Sequence, residues 1–581
     1  MASKAKAAAA AAILPHDALF LGFDSSTQSL KATVVDAKLR IVTSEIVHFD
    51  SELPHYKTKD GVHRDLSENG RVTAPALMWV EALECVLDKL KKRSFPFEAI
   101  KAVSGSGQQH GSVYWKKDTL NSKLQKLSHL ESLHGQLQDA FSTIHSPIWM
   151  DSSTFVQCKE IEEALGGAVA LSLLTGSRAH ERYTGPQIRK LYQTQKEVYE
   201  NTERISLVSS FMASLLVGDY VSIDYSDAAG MNLMDFKNRI WSHVALEATA
   251  PHLEEKLGPL APPHAVAGVI NPFFVERYDF SADCLVIQWS GDNLCSLAGL
   301  ALDHPGDVAV SLGTSDTVFG ITTNPLPGLE GHIFPNCVDP HSYMVMLVYK
   351  NGSLTREEVR DRCADGSWDH FNKLLDETSP LNDGKVGFFY KYPEILPPLP
   401  GICPCTERTF CLVGVHRFCV KEAESLDDVA EAQEVLAFDP STEVRSLVEG
   451  QFLSMKTHSQ RIGMPMPPKR IIATGGASAN HRLLVLMATI FGCDVYTAQR
   501  TDSASLGAAF RAAHGWLCND QKDFVPIASM FANAAEDGAI QFKLSAHAGP
   551  NDLQAKFAAL AKKRAELEHM LVAKYGANST L

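Results

Sequence analysis

Gly22-Phe23-Asp24-Ser25-Ser26-Thr27-Gln28 and Ser311-Leu312-Gly313-Thr314-Ser315-Asp316-Thr317 are two short bends rich in Gly, Ser and Thr. Strand-like apolar stretches flank each one, at 19–23 and 30–35 around the first and at 308–310 and 318–321 around the second. Small hydroxyl residues in a tight turn leave backbone N–H groups pointing outward, an arrangement that binds phosphate. One such bend is ordinary. Two of them, in corresponding places of two halves, predict a nucleotide held between two lobes.

Outward from the first bend, 40–49 continues as a third strand with alternating apolar residues. Leu77, Met78, Val80, Leu83, Val86, Leu87 and Leu90 recur at helical spacing and predict a helix over 75–92. A strand at 99–104 then runs into Gly105-Ser106-Gly107-Gln108-Gln109-His110-Gly111, and 112–115 alternates again. A helix is expected at 158–165, and an apolar run from Ile205 to Leu216 is ended by Gly218. A buried-type strand at 284–289 leads into Ser290-Gly291-Asp292-Asn293, with 294–300 compatible with a helix. The second half restarts the theme with a hairpin at 307–321, a strand at 343–349, a helix at 442–459 and a strand at 470–473. That strand leads into Thr474-Gly475-Gly476-Ala477-Ser478, followed by helices at 480–491, 503–513 and 552–574. Residues 361–441 read as irregular, Pro-rich around 393–404, and predict an insertion. The expected division is a disordered tail over 1–16, an N-terminal lobe over 17–304, a C-terminal lobe over 305–540 and a helical tail over 541–581. The repeated element order resembles the duplicated α/β fold shared by actin, Hsp70 and sugar kinases, in which two ribonuclease H-like domains enclose a central cleft.

A chain of 581 residues exceeds one core, which agrees with two large domains. The net charge of −14, from 54 basic and 68 acidic residues, argues against a nucleic-acid partner, because phosphate neutralisation needs a basic face. The 12 cysteines are scattered, and Cys403-Pro404-Cys405 lacks the second pair that a zinc site wants. Reduced thiols in the cytoplasm are the expectation. The alanine run from Met1 to Ala12, broken by Lys4 and Lys6, fits neither a secretory signal nor a transit peptide. No apolar run reaches ~20 residues, so no membrane span is expected. A soluble cytoplasmic enzyme with a small-molecule substrate, as a monomer or homodimer, is the class these features favour.

Asp24 lies beside the phosphate-binding N–H groups, where phosphate would repel it unless a cation stood between them. Mg²⁺ takes one or two carboxylates plus waters and phosphate oxygens, so Asp24 is a candidate metal ligand. The competing role is a hydrogen bond within its own turn. Gly105 to Gly111 has the spacing Gly-x-Gly-x-x-x-Gly and is followed by a strand pattern rather than a helix, so a dinucleotide fingerprint is excluded. Gln108, Gln109 and His110 are side chains that donate and accept, suited to a polyol or sugar; a structural histidine is the competing role. Asp292 follows a buried strand and could take the proton of an attacking hydroxyl, with Asn293 orienting the sugar. Helix capping is the structural alternative for Asp292. Gly475 and Gly476 let backbone pass close to an adenosine group, with Asn480 able to bond it.

Together these residues resemble the FGGY family of carbohydrate kinases over about 19–516, and within it the branch acting on D-xylulose. The segments Gln108 to Gly111, Ile148-Trp149-Met150-Asp151 and Asp224 to Gly230 are similar to that branch's sugar side, and Gly291-Asp292-Asn293 to its catalytic loop. The resemblance implies Asp292 as general base, with Gln109, His110, Arg182, Asp292 and Asn293 contacting a ketopentose from the N-terminal lobe. It implies ATP contacts from Thr27, Gly313, Thr314, Trp368, Gly475, Gly476, Ala477 and Asn480, with Trp368 beside the adenine, and Mg²⁺ at Asp24. The chain departs from the family pattern at Pro186-Gln187-Ile188-Arg189-Lys190, and at Ser26, Asp316 and Thr474, where glycine is usual. The implied reaction is ATP-dependent phosphorylation of D-xylulose at its 5-hydroxyl. The alternatives are a kinase for another polyol or ketose such as ribulose or glycerol, an actin- or Hsp70-like ATPase, and a sugar-binding pseudokinase.

Overall fold

The computed structural model describes residues 14–575 apart from 69, 393, 400–413, 421–431, 499–501 and 535–537. Its first sheet grows from the first bend. Strands β1 (Leu19–Ser25), β2 (Ser29–Asp36) and β3 (Ile41–His48) form an antiparallel meander. Helix α1 (Ala76–Lys92) buries Met78, Trp79, Leu83, Val86, Leu87 and Leu90, and leads to β4 (Ile100–Gly107), which lies parallel to β1. Strands β5 (Val266–Val269), β6 (Leu285–Ile287) and β7 (Ser290–Gly291) complete a seven-stranded sheet of order β5-β6-β4-β1-β2-β3, with β7 beside the end of β4. Helix α2 (Asp292–Gly299) then leaves this sheet.

The second sheet repeats the plan. Strands β8 (Asp307–Leu312) and β9 (Asp316–Thr322) form the second hairpin, followed by β10 (His332–Pro335) and β11 (Tyr343–Tyr349). Helices α3 (Ser353–Cys363) and α4 (Trp368–Asp376) precede a separate three-stranded sheet of β12 (Lys385–Phe389), β13 (Val415–Val420) and β14 (Ala432–Val435). Helix α5 (Pro440–Arg461) leads to β15 (Arg470–Thr474), which pairs parallel with β8. Helix α6 (His481–Phe491), β16 (Val495–Ala498), helix α7 (Ser503–Gln521), β17 (Phe542–Ala546) and helix α8 (Asn551–Tyr575) follow. The order β10-β11-β9-β8-β15-β16-β17 contains the same core as the first sheet, a meander with a parallel strand on the free edge of its first member. The protein therefore has the two-lobed α/β fold of duplicated ribonuclease H-like domains.

Helix α7 follows the second sheet in the chain but packs on the first. A Cβ on Gly22 would stand 2.1 Å from the Ala509 nitrogen, and Thr33 and Ser505 hydroxyls meet at 2.9 Å. Its partner in the crossing is α2, where a Cβ on Gly507 would stand 1.8 Å from the Cys295 carbonyl oxygen and one on Gly299 1.9 Å from that of Ser503. Glycine is required at this crossing because the two backbones touch.

Several expectations are corrected. Within 361–441, helix α4 and the sheet β12–β14 replace the irregular insertion, with Val386, Phe388 and Phe418 buried against Leu567 and Leu571 of α8. Parts of the Pro-rich stretch, Cys403 and Cys405 among them, lie outside the described residues. The supposed helical tail from 541 belongs to the second lobe: β17 pairs with β16, and the buried Glu568 of α8 accepts from His458 Nε2 at 2.7 Å. Of the supposed tail over 1–16, residues 1–13 lie outside the described residues, and Leu14 is buried in the core. The apolar run from Ile205 to Leu216 is two elements, a strand at Thr202–Leu207 and a helix at Val208–Val217. Among the described residues no helix is long and apolar enough to cross a membrane.

Candidate active site

Strand register assembles the first half of the site. Asp24 of β1 pairs with Ser106 of β4, and Ser106 pairs with Ser290 of β7. Three parallel strand ends thus stand side by side, and neighbouring strands lie about 4.8 Å apart, which puts Asp24 and the start of α2 about 10 Å apart. From these ends the chain continues into Gln108-Gln109-His110 and into Asp292-Asn293.

Asp292 is the first residue of α2. Gly291 occupies the cap position and no side chain caps the helix, so Asp292 is not spent on capping. A Cβ on Gly291 would stand 2.5 Å from Gln109 Cγ and 2.8 Å from Asp227 Oδ1, and its absence lets both side chains close on the loop. Asp292 Oδ1 accepts from the Asn293 backbone N–H at 2.8 Å and from Asn293 Nδ2 at 3.0 Å. Asn293 Nδ2 also donates to Gln109 Oε1 at 3.1 Å. Burial pushes the Asp292 carboxyl up to about 6, against the pull of the Asn293 hydrogen bonds.

Asp24 makes no turn of its own. Its Oδ1 is buried without a partner, and its carboxyl is pushed up to about 7 by burial and then by the charge of Asp292. An acid held this way, beside a phosphate-type bend, suits a divalent cation. A third carboxylate, Asp227, accepts from Ser209 Oγ at 2.6 Å while its Oδ1 has no partner. Burial pushes Asp227 to about 7, with Asp224 and Asp292 adding to the effect. Ser106 Oγ, Gln108 Oε1 and Gln109 Nε2 are likewise buried without partners. Buried polar atoms of native proteins are met by protein, water or ligand, so this cluster offers hydrogen bonds to whatever fills the cleft.

His110 adopts a positive φ of 69° and its Nδ1 donates to the Gly230 carbonyl at 2.9 Å. Burial, then the charge of Arg182, holds its pKa well below the usual histidine range, so the ring is neutral. His110, His180, Arg182 and His332 line one cavity, with the Tyr183 ring tilted against that of His110, centroids 4.6 Å apart. The structure therefore joins Gln109, Asp292 and Asn293 by hydrogen bonds, and brings His110 and Arg182 together in the cavity beside them.

The residues expected to take nucleotide are built on the second sheet. Thr314 and Ser315 are exposed at the tip of the β8–β9 bend, while Gly313 is half-buried. Ser311 pairs with Thr474, and Gly475, at φ 81°, has its Cα so close to Leu312 that a Cβ would stand 2.6 Å from the Leu312 oxygen. The Gly475-Gly476-Ala477 turn thus lies against the bend, with open space over Gly476. Asn480 caps α6 by accepting from the Arg482 N–H at 3.0 Å, and its Nδ2 donates to Asn372 Oδ1 at 2.9 Å. Asn372 belongs to α4, whose first residue is Trp368, half-buried with the Arg360 guanidinium 4.8 Å above its ring. In the first bend, the Thr27 hydroxyl accepts from Trp149 Nε1 at 2.8 Å.

Sequence reasoning singled out the segment around Asp227 without giving that residue a role; only the fold shows it facing Asp292. Asp151, grouped with the sugar side, is instead occupied: it accepts from the Val72 N–H at 3.0 Å and from Gln187 Nε2 at 2.8 Å. Gln187, at the departure from the family pattern, serves to hold it.

A duplicated two-lobed fold with a Gly/Ser/Thr bend in each lobe and buried carboxylates among polar side chains is that of a phosphotransferase with an alcohol acceptor. Its N-terminal-domain match over 143–299 and C-terminal-domain match over 308–516 agree, and the chain belongs to the FGGY family of carbohydrate kinases. A relative named xylulose kinase 2 from Arabidopsis thaliana is 62% identical over 97% of this chain and 99% of its own. A xylulose kinase from Rattus norvegicus is 46% identical over 95% of this chain and 97% of its own. Among solved structures, a ligand-bound xylulose kinase from Lactobacillus acidophilus superimposes with a TM-score of 0.72 at 18% identity, covering 96% of this chain and 99% of that one.

Proposed function

We propose that this protein phosphorylates D-xylulose at its 5-hydroxyl, using ATP and Mg²⁺. The observation that carries the choice of sugar is the 62% identity to the plant xylulose kinase along nearly the whole chain. The geometry supplies the chemistry. Asp292 takes the proton of the 5-hydroxyl as that oxygen bonds to the γ-phosphorus, and the bond from phosphorus to the bridging oxygen breaks to release ADP. Asn293 fixes the Asp292 carboxylate, and Gln109, His110, Arg182 and Asp227 offer donors and acceptors to the ketose. Thr27, Gly313 and Thr314 face the triphosphate, and the Gly475–Asn480 turn with Trp368 holds the adenosine. A cation at Asp24 would neutralise phosphate charge when bound. The free cysteines among the described residues suit a reducing cytoplasm.

The test is ADP release measured over a panel of D-xylulose, ribulose and glycerol. Strong preference for glycerol or ribulose overturns the choice of sugar. ADP release indifferent to every sugar indicates an ATPase, and sugar binding without ADP release indicates a pseudokinase.

A further inference from the structure

The second bend differs from the first in having a built foundation. Asp316 opens β9 and is fully buried. Its carboxylate takes both arms of the Arg356 guanidinium, Nη1 to Oδ2 at 2.7 Å and Nη2 to Oδ1 at 2.8 Å. The Gly313 backbone N–H, inside the bend, faces this carboxylate and favours its charged form. Arg356, itself buried, is fixed in turn by Gln451 Oε1 and Ser353 Oγ, each at 2.8 Å. The Ser353 N–H donates to the Gly313 carbonyl at 2.9 Å, so helix α3 grips the same glycine from its other side. A Cβ on Gly352 would stand 2.8 Å from both the Asp316 nitrogen and its Oδ1, so glycine there lets the start of α3 close on the bend. Behind this group, Gln451 Nε2 donates to the Asn351 carbonyl at 2.8 Å, and Glu394 accepts from the Lys350 and Asn351 N–H groups at 2.7 and 3.0 Å.

A planar guanidinium matched to a carboxylate by two bonds defines position and angle, which a lysine or a lone hydrogen bond does not. A buried pair of this kind is a weak source of stability, because desolvation offsets its attraction. Its value lies in holding Gly313. We propose that Arg356 is a positioning residue for phosphoryl transfer: acting through Asp316, it fixes the Gly313–Ser315 backbone where the ATP phosphates must sit. This rests on the reading of that bend as the triphosphate site. The stretch that supplies Glu394 then has a purpose, since it braces the strand-to-helix turn carrying Asn351 and Gly352.

The test uses the full chain and measures Kd for ATP and adenosine, Kd for D-xylulose without nucleotide, kcat and Tm. Arg356→Met should raise the ATP Kd and lower kcat, together by about 10- to 100-fold, because a displaced bend no longer meets the phosphates. Adenosine and D-xylulose affinities should stay within about twofold. Arg356→Met alone leaves a buried charge unpaired and can lower Tm, so the double variant Asp316→Gly/Arg356→Met removes both charges. Tm restored with ATP affinity and kcat still impaired supports positioning; full recovery of both with Tm overturns it. Arg356→Lys, which keeps the charge without the fork, should recover only part of the ATP affinity; full recovery would also overturn it. The underlying reading is tested apart by Gly313→Val, which must abolish the preference for ATP over adenosine. If that preference survives, the bend does not hold phosphate; if it is lost while Arg356→Met binds ATP normally, only the positioning role fails.

Discussion

Asp24→Asn should stabilise the ligand-free protein while it disables catalysis. The carboxyl is moved from 3.8 to about 7 by burial and by the nearby charge of Asp292, and its Oδ1 has no partner. A carboxyl whose folded pKa lies above its unfolded value binds protons more tightly when folded, so stability falls as pH rises. The penalty is absent below about pH 4, grows through the window between the two values, and is complete above about pH 7. At about 1.4 kcal/mol per pH unit, the ionised group costs the folded state up to about 4 kcal/mol at pH 8. Water in the cleft lessens this, so a gain of about 2–4 kcal/mol at pH 8, shrinking below about 2 kcal/mol at pH 5, is expected for the asparagine. Urea unfolding of both proteins at pH 4, 5 and 8, without nucleotide, reads it directly. Added Mg²⁺ at pH 8 should raise the midpoint of the parent protein and leave the asparagine variant where it was. A variant no more stable than its parent at pH 8, or a gain equal at pH 4 and pH 8, would refute the reasoning.

Asp292→Asn should lower turnover by ~10²–10⁴-fold with sugar binding retained, read as ADP release beside a D-xylulose titration; near-normal turnover would remove the base. Because burial sets Asp292 at about 6 and only the ionised form accepts a proton, kcat/KM for the sugar should fall at least tenfold per pH unit below that value. A flat profile from pH 5 to 7 would contradict this assignment. Gly507→Val should leave no stable folded protein by circular dichroism, since even its Cβ would stand 1.8 Å from the Cys295 oxygen; a native-like melting curve would show that the helix crossing is looser than described.

The bends and their strands were legible because their signals are local: alternating apolar residues, small hydroxyl turns, and glycines at the turns. Tyr343–Tyr349 reads as a strand from its own side chains and forms one with those bounds. The sheet β12–β14 was not legible for the opposite reason. Its strands are short, prolines interrupt the neighbourhood, and Val386, Phe388 and Phe418 find their cover on α8 near the chain's other end. No window along the sequence contains that contact. At the site, Asp24 and Asp292 stood out in the sequence because each lies where a buried strand runs into a polar turn. Whether Asp292 capped its helix could not, because Gly291 takes the cap position with an extended backbone and leaves Asp292 inside the first turn. Asp227 needed the fold, because its neighbour Gln109 lies over a hundred residues away in the chain. Asp316 was visible only as a departure from glycine, and its meaning depends on Arg356, which no local pattern marks.

The glycines at the helix crossing and the acids in the cleft belong to one physical requirement. Asp24 ends the strand that α7 covers, and Asp292 begins α2, so the contact of Gly507 with Cys295 and of Gly299 with Ser503 sets where both acids stand. The Gly313 bend, by contrast, is held from the second sheet through Asp316 and Arg356. Phosphoryl transfer needs these two constructions brought to a defined separation with water excluded. A larger residue at either position would push the axes apart and move Asp292 away from the phosphates. Close helix packing here therefore serves the reaction as much as the core, because it fixes the strand ends and the helix start that carry the two acids.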